Sequence, residues 1–281
     1  MFQITAKEFL NPTVVKMSIL APEVAVKAQP GQFIILRPDE DGERIPLTMA
    51  DCDPAAGTVT IIFQIVGAET TILSQMNAGD FIRDFVGPLG IPSHVEGLKK
   101  VCVIGGGVGC AIAYPVAKKL HDQGTTVHSI IGFRNKDLVI LEDEFRAVSD
   151  LLRLMSDDGS AGEKGLVTNA LEELIQAGET YDEVIAIGPV IMMKFVAALT
   201  KKYNQKTVVS MNPIMIDGTG MCGGCRLLVD GSVKFACVDG PDFDGHLVDY
   251  DLLMKRNAMY REHEQAHLCR LTGEEAAAVG K

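Results

Sequence analysis

The chain has 281 residues, an apolar fraction of 47% and a formal net charge of −11. That length and apolar content support two or three domains with real cores, and the low charge density argues against extensive disorder. An acidic balance with a pI near 5.0 argues against nucleic acid as a partner, because polyanion binding rests on clustered Lys and Arg.

At the N-terminus, Met1-Phe2-Gln3-Ile4-Thr5-Ala6-Lys7-Glu8 has no basic stretch leading into an apolar one, so no secretory signal is expected. Residues 1–98 read as all-β. Short β-rich runs at Thr13–Leu20, Gln32–Arg37, Thr58–Val66 and Phe81–Val86 are broken by Pro-Gly, Asp-Gly, Ala-Gly and Gly-Pro turn signals. Spacing of this kind predicts a six-stranded antiparallel barrel, since closure removes exposed edges.

The pattern changes over residues 99–210. Val101–Ile104 is a continuous apolar strand running into Gly105-Gly106-Gly107-Val108-Gly109, with a helix from Cys110 to Gln123. Then come strand Thr126–Phe133, helix Leu141–Val148, strand Leu151–Ser156, helix Asn169–Ala177, strand Glu183–Ile187, helix Val190–Lys201 and strand Gln205–Ser210. Such alternation predicts βαβ units and a doubly wound parallel sheet. The longest charge-free stretch, Val101 to Ala117, is short for a membrane span and holds four glycines and Pro115. A soluble, cytoplasmic protein with no membrane partner is expected.

Over residues 211–281, a glycine-rich cysteine segment leads into a predicted hairpin of Arg226–Val229 and Ser232–Cys237, turned by Asp230-Gly231. A charged terminal helix is expected from Asp249 to about Leu271. Seven cysteines is an odd number, and three of them, Cys222, Cys225 and Cys237, sit in one short segment. That favours metal or redox use over a disulfide framework.

Two motifs carry chemistry. Gly105, Gly107 and Gly109 follow a buried strand and precede a helix, where backbone N–H groups can approach a pyrophosphate. The dinucleotide fingerprint is incomplete, because its third glycine falls on Cys110 and the second strand ends in Gly132-Phe133-Arg134 with no carboxylate. The second motif is Asp217-x4-Cys222-x2-Cys225-x11-Cys237. It has the spacing of a plant-type [2Fe–2S] loop with the first thiolate replaced by a carboxylate. Zinc would want a second cysteine pair and a redox dithiol a helix start; neither is present, though a metal-free loop with Asp217 as a turn cap stays open.

The order of barrel, glycine turn and sheet resembles the ferredoxin–NADP⁺ reductase superfamily. Arg44-Ile45-Pro46-Leu47-Thr48 is similar to its flavin motif, with one extra residue between Arg44 and Thr48. Val66-Gly67-Ala68-Glu69-Thr70-Thr71 is similar to its flavin diphosphate turn, although Glu69 stands where relatives often carry glycine. Gly87-Pro88-Leu89-Gly90 resembles the barrel's closing segment, and Gly188-Pro189-Val190-Ile191-Met192 the turn facing nicotinamide. The resemblance implies FAD at Arg44, Pro46, Leu47, Thr48, Val66, Gly67, Thr70 and Thr71. It implies NAD at Gly105, Gly106, Gly107, Gly109, Arg134, Asp157, Gly188 and Pro189. Asp157-Asp158 would repel a 2′-phosphate and so favours NAD(H), while Arg134 and Lys136 argue for NADP(H).

With the cysteine segment added, the whole chain resembles the electron-transfer subunits of dihydroorotate dehydrogenase. Asp217 narrows this to the small subunits of NADH-dependent reduced ferredoxin:NADP⁺ oxidoreductases, also known as sulfide dehydrogenase subunits. The resemblance implies an oxidoreductase subunit in which Asp217, Cys222, Cys225 and Cys237 hold a [2Fe–2S] cluster. It also implies a larger FAD and [4Fe–4S] subunit, similar to the glutamate synthase small chain, as partner, with ferredoxin and NADP(H) reached indirectly. The alternatives are a subunit feeding electrons from dihydroorotate to NAD⁺, and a non-enzymatic scaffold with a zinc-stabilised loop.

Overall fold

The computed structural model describes residues 1–273; residues 274–281 of the expected C-terminal segment lie outside the described residues. The first sheet contains β1 (Phe2–Asn11), β2 (Val14–Leu20), β3 (Phe33–Arg37), β4 (Ile45–Asp53), β5 (Thr58–Gln64), β6 (Phe81–Ile82) and β7 (Asp84–Leu89), in the order β6-β1-β2-β5-β4-β3-β7. Only Arg83 separates β6, which pairs with β1, from β7, which pairs with β3. One interrupted strand therefore joins both ends of the sheet, and the barrel has the expected six staves. Alternating residues such as Val15, Met17 and Ile19 on β2 fill its interior with Ile34, Leu36, Ile61 and Phe63. Two short helices, α1 (Pro22–Ala25) and α2 (Ala68–Gln75), flank the staves.

The second sheet starts with β8 (Lys100–Gly106), α3 (Cys110–Asp122), β9 (Thr126–Phe133), α4 (Glu142–Ala147), β10 (Leu151–Ser156) and β11 (Glu163–Lys164). It continues with α5 (Val167–Gln176), β12 (Glu183–Ile187), α6 (Val190–Lys202) and β13 (Thr207–Ser210). Burial at Val167, Ala170 and Leu171 gives α5 the i, i+3, i+4 stripe of a helix lying on a sheet. Strand order runs β11-β10-β9-β8-β12-β13, parallel throughout, so the winding reverses between β8 and β12. That reversal opens a crevice at the strands' C-terminal ends, the usual ligand position in such sheets.

The last segment corrects three expectations. After β14 (Arg226–Val229), the hairpin's return strand β15 stops at Phe235 rather than Cys237, and Cys237 lies in the single turn α7 (Ala236–Asp239). Strand β16 (Asp242–Asp244) then pairs antiparallel with β13, so the sheet is mixed rather than purely parallel. The chain gains backbone partners for an exposed edge this way. The single terminal helix is two, α8 (Tyr250–Asn257) and α9 (Arg261–Thr272). Asp249 caps α8 by accepting from the Leu252 N–H at 2.9 Å. Tyr250 and Leu253 bury in the main core, whereas α9 turns away to lie over α2.

The three regions share their cores. Phe33 and Ile35 of the barrel pack in one cluster with Ile104 and Val184 of the sheet and with Cys225, Leu227 and Cys237. Val14, Ala50 and Ile62 join another with Val101, Val116 and Leu120. Among the described residues no helix is long and apolar enough to cross a membrane.

Candidate functional site

On the barrel, Pro46, Leu47 and Thr48 lie along β4 in register with Ile35, Ile34 and Phe33 of β3. Arg44 is exposed just before the strand, and its guanidinium makes no ion pair among the described residues. Gly67 opens α2 with extended backbone and, being glycine, offers no side chain to the first-turn amides. Thr70 Oγ1 accepts from the N–H groups of Val66 and Gly67, both at 3.0 Å, and Thr71 Oγ1 donates to the Gly67 carbonyl at 2.9 Å. The threonines thus shape the turn, leaving the amides of Ala68, Glu69 and Thr70 without an acceptor among the described residues. Open N–H groups at a helix start are the kind of donors an anion takes.

In the sheet, Gly105 and Gly106 end β8, and Gly107–Gly109 form one tight turn into α3. A Cβ on Gly109 would lie 2.6 Å from both the Gly188 Cα and the Ile187 carbonyl oxygen. One on Gly188 would lie 2.9 Å from Met192 Cε, and one on Gly106 would run into the Met192 sulfur. The two glycine turns therefore interlock at the winding reversal. Gly109 supplies the close helix-to-strand packing that the fingerprint assigns to its third glycine, one position earlier than expected. Gly107, with φ of 55°, faces open space. Cys110 is fully buried beneath Gly105, and burial pushes its thiol pKa upward, out of reach of thiolate chemistry.

Arg134 and Asp157 meet at one corner of the sheet. The Asp157 N–H donates to the Phe133 carbonyl at 3.0 Å, and both side chains are exposed and without ion pairs among the described residues. Asp158 turns away to accept from the N–H and hydroxyl of Ser160 at 2.9 and 2.7 Å.

In the cysteine loop, Cys225 and Cys237 are buried with their sulfurs 3.2 Å apart, well beyond the roughly 2.05 Å of a disulfide. Burial, then the Cys225 neighbour, pushes the Cys237 thiol up to about 12. Asp217 points into its own turn, accepting from the Thr219 N–H at 2.9 Å and the Cys222 N–H at 2.8 Å. Those amides, Thr219 first, hold its carboxyl below the usual range. Cys222 is exposed on the rim. The structure thus brings Cys225 and Cys237 together and leaves Asp217 and Cys222 beside them, joined by one hydrogen bond. Among the described residues no group of three or more His, Cys, Asp or Glu side chains is gathered at metal-binding distance.

Gly218, with φ of 75°, rests on the barrel, where a Cβ would meet Leu89 at 2.7 Å and Ile35 at 3.1 Å. The loop thus abuts β3, the strand paired with Pro46–Thr48. Arg226 and Arg256 brace it by donating to the carbonyls of Gly223 and Gly224, each at 3.2 Å.

Residues 212–249, which include all four expected cluster ligands, match the iron–sulfur cluster binding domain of dihydroorotate dehydrogenase B. The chain is 49% identical over 247 residues to the electron transfer subunit homolog of dihydroorotate dehydrogenase B (NAD(+)) from Thermotoga maritima, spanning 88% of this chain and 87% of that one. The corresponding electron transfer subunit of Streptococcus pneumoniae is 32% identical over 249 residues, with 86% and 94% covered. This chain belongs to the dihydroorotate dehydrogenase B electron-transfer subunit family. A chain from the solved structure of NADH-dependent reduced ferredoxin–NADP oxidoreductase, a study of flavin-based electron bifurcation, is also similar. It matches with a TM-score of 0.91 at 46% identity, covering 97% of this chain and 98% of that one.

The chain is therefore an electron-transfer subunit of an oxidoreductase, with the ferredoxin reductase-like fold and an iron–sulfur binding segment. FAD, NAD(H) and a [2Fe–2S] cluster fit the family and its fold. Sequence reasoning missed helix α2 as an element, the bracing arginines and the contact of Gly218 with the barrel. The run Ala68-Glu69-Thr70-Thr71 after Gly67 was the signal for α2.

Proposed function

We propose that this chain is the NAD branch of an electron-bifurcating ferredoxin:NADP⁺ transhydrogenase. It moves electrons between NAD(H), FAD and a [2Fe–2S] cluster and on to a larger flavoprotein subunit. One observation carries this reading: Asp217 replaces the first cluster thiolate in a chain that follows the NADH-dependent reduced ferredoxin–NADP oxidoreductase structure over 97% of its length.

When bound, the flavin would exchange two electrons with the nicotinamide and single electrons with the cluster. Arg44 and the open amides of α2 would hold its diphosphate, with Pro46, Leu47 and Thr48 beside the ring system and Val66, Gly67, Thr70 and Thr71 shaping the turn. These lie in a barrel of residues 1–98. In residues 99–210, Gly105, Gly106, Gly107, Gly109, Gly188 and Pro189 would receive NAD(H). The Asp157 carboxylate would accept from a free ribose hydroxyl and repel a 2′-phosphate, whereas Arg134 favours the phosphorylated form. In residues 211–281, Asp217, Cys222, Cys225 and Cys237 would hold the cluster, with Asp217 the harder donor. Exposed Ile216, Met221, Met259 and Tyr260 around this loop support a protein partner there, namely the larger FAD and [4Fe–4S] subunit.

Co-purification of the chain with its partner, followed by assay, tests the reading. The complex is expected to reduce NADP⁺ with NADH and reduced ferredoxin together and with neither alone. The second reading, electrons from dihydroorotate to NAD⁺, is supported by the names of the Thermotoga and Streptococcus relatives. Reduction of the complex by dihydroorotate would favour it, and a colourless zinc protein would overturn both. Asp217→Cys is expected to keep the cluster but move its EPR signal and potential; an unchanged signal would remove Asp217 from the ligand set.

A further inference from the structure

The peptide unit between Gly223 and Gly224, inside the Cys222–Cys225 turn, holds a guanidinium at one end and a sulfur at the other. Its carbonyl accepts from Arg226 Nη1 at 3.2 Å, and its N–H donates to Cys222 Sγ at 3.4 Å. The next carbonyl along, that of Gly224, accepts from Arg256 Nη2 at 3.2 Å. Arg226 opens β14 and Arg256 stands in the last turn of α8, so two separate elements deliver cations to one short turn. Both line one cavity together with Cys222 and Gly224.

Neither guanidinium makes an ion pair among the described residues, in a chain of net charge −11. Acids of this segment are engaged elsewhere. Asp217 accepts from the Thr219 and Cys222 N–H groups, Asp239 from the Phe235 N–H, and Asp251 pairs with Lys194. A neutral donor could brace a carbonyl, so bracing does not account for two full charges. Like charges on neighbouring carbonyls repel, and the arrangement becomes favourable where negative charge collects beside them. Hydrogen bonding through the peptide acts in the same direction, because a carbonyl held by a cation makes its N–H a stronger donor to sulfur.

We propose that Arg226 and Arg256 raise the reduction potential of a [2Fe–2S] cluster on this loop above the value its ligands alone would give. The donor set suits that group: three sulfurs and a carboxylate border the turn, with the Cys225 and Cys237 sulfurs 3.2 Å apart. Uptake of one electron adds one negative charge at the loop, with no bond made or broken and no proton moved. The guanidiniums stabilise that charge and so favour the reduced form. This rests on the reading that the loop holds the cluster.

The test is an EPR-monitored redox titration of the full-length protein with its cluster in place, dithionite supplying the electrons through mediators. Arg226→Gln and Arg256→Gln keep a neutral N–H donor and lose the charge. Each should lower the potential. The reduced-to-oxidised ratio at a fixed solution potential should fall about three- to tenfold, tenfold being about 59 mV for one electron. Arg226→Lys and Arg256→Lys keep the charge and should stay near wild type. Unchanged potentials in both Gln variants, or equal shifts in the Lys and Gln variants, would overturn the proposal. So would loss of the cluster from both Gln variants, which would leave the arginines as braces only. A wild-type chain that takes up no cluster would instead overturn the reading on which the proposal rests.

Discussion

Two glycine-bearing turns open helices in this molecule, and they are built by different means. The turn into α3 is defined by packing, since Gly106, Gly109 and Gly188 leave no room for a methyl group between β8 and β12. The turn into α2 is defined by hydrogen bonds, with Thr70 and Thr71 closing it while a Cβ on Gly67 would meet nothing within 4 Å. The first is a rigid cradle whose shape is set before any ligand arrives. The second keeps open amides at the helix start, with the Glu69 carboxyl buried behind it.

The largest effect should come from Gly109→Ala. Its methyl group would collide with backbone rather than a flexible side chain, costing roughly 1–3 kcal/mol. Denaturant unfolding should register the loss, and NADH binding should fail while FAD binding survives. Next comes Thr70→Val, which removes the acceptor of two amides at about 1–2 kcal/mol. It should weaken FAD more than NADH, and equal losses on both would break the contrast between the turns.

A smaller effect concerns pH. The Glu69 carboxyl has a raised pKa in the folded protein, so the fold binds more protons there than the unfolded chain. Its contribution to stability is full below the ordinary carboxylate range and is lost as pH rises through the raised value. Denaturation of the flavin-free protein at several pH values should follow that fall, and Glu69→Gln should flatten it. The smallest effect on stability is expected from Gly67→Ala. A weaker N-cap is offset by reduced freedom of the unfolded chain, leaving a change within about 0.5 kcal/mol. The new methyl group points into open space at the start of α2, so FAD affinity should fall even though stability does not.

The same contrast governs what could be read from the sequence. Strands Thr126–Phe133, Leu151–Ser156 and Glu183–Ile187 are found where expected, because largely apolar runs between turn signals belong to the inner strands of a parallel sheet. In the barrel, β1 was not located, since Lys7 and Glu8 interrupt its pattern, nor was β4, which carries Pro46 at its second position and ends in Asp51–Asp53. The interlocking glycines were legible as residues, but not which of them meets which neighbour. Glu69 was legible only as a departure from relatives; its burial depends on Gly42 and α9, which lie far from it in sequence. The cysteine spacing named its candidates, yet the direction of the Asp217 carboxylate follows from two local amides that no spacing reveals.

Strand β16 belongs by sequence to the cysteine segment and by hydrogen bonding to the edge of the nucleotide-type sheet. The same segment rests on the barrel through Gly218. Among the described residues, the cysteine segment is thus tied to both neighbouring regions. For an electron-transfer subunit, such stitching holds the cysteine segment in one place against both the barrel and the sheet.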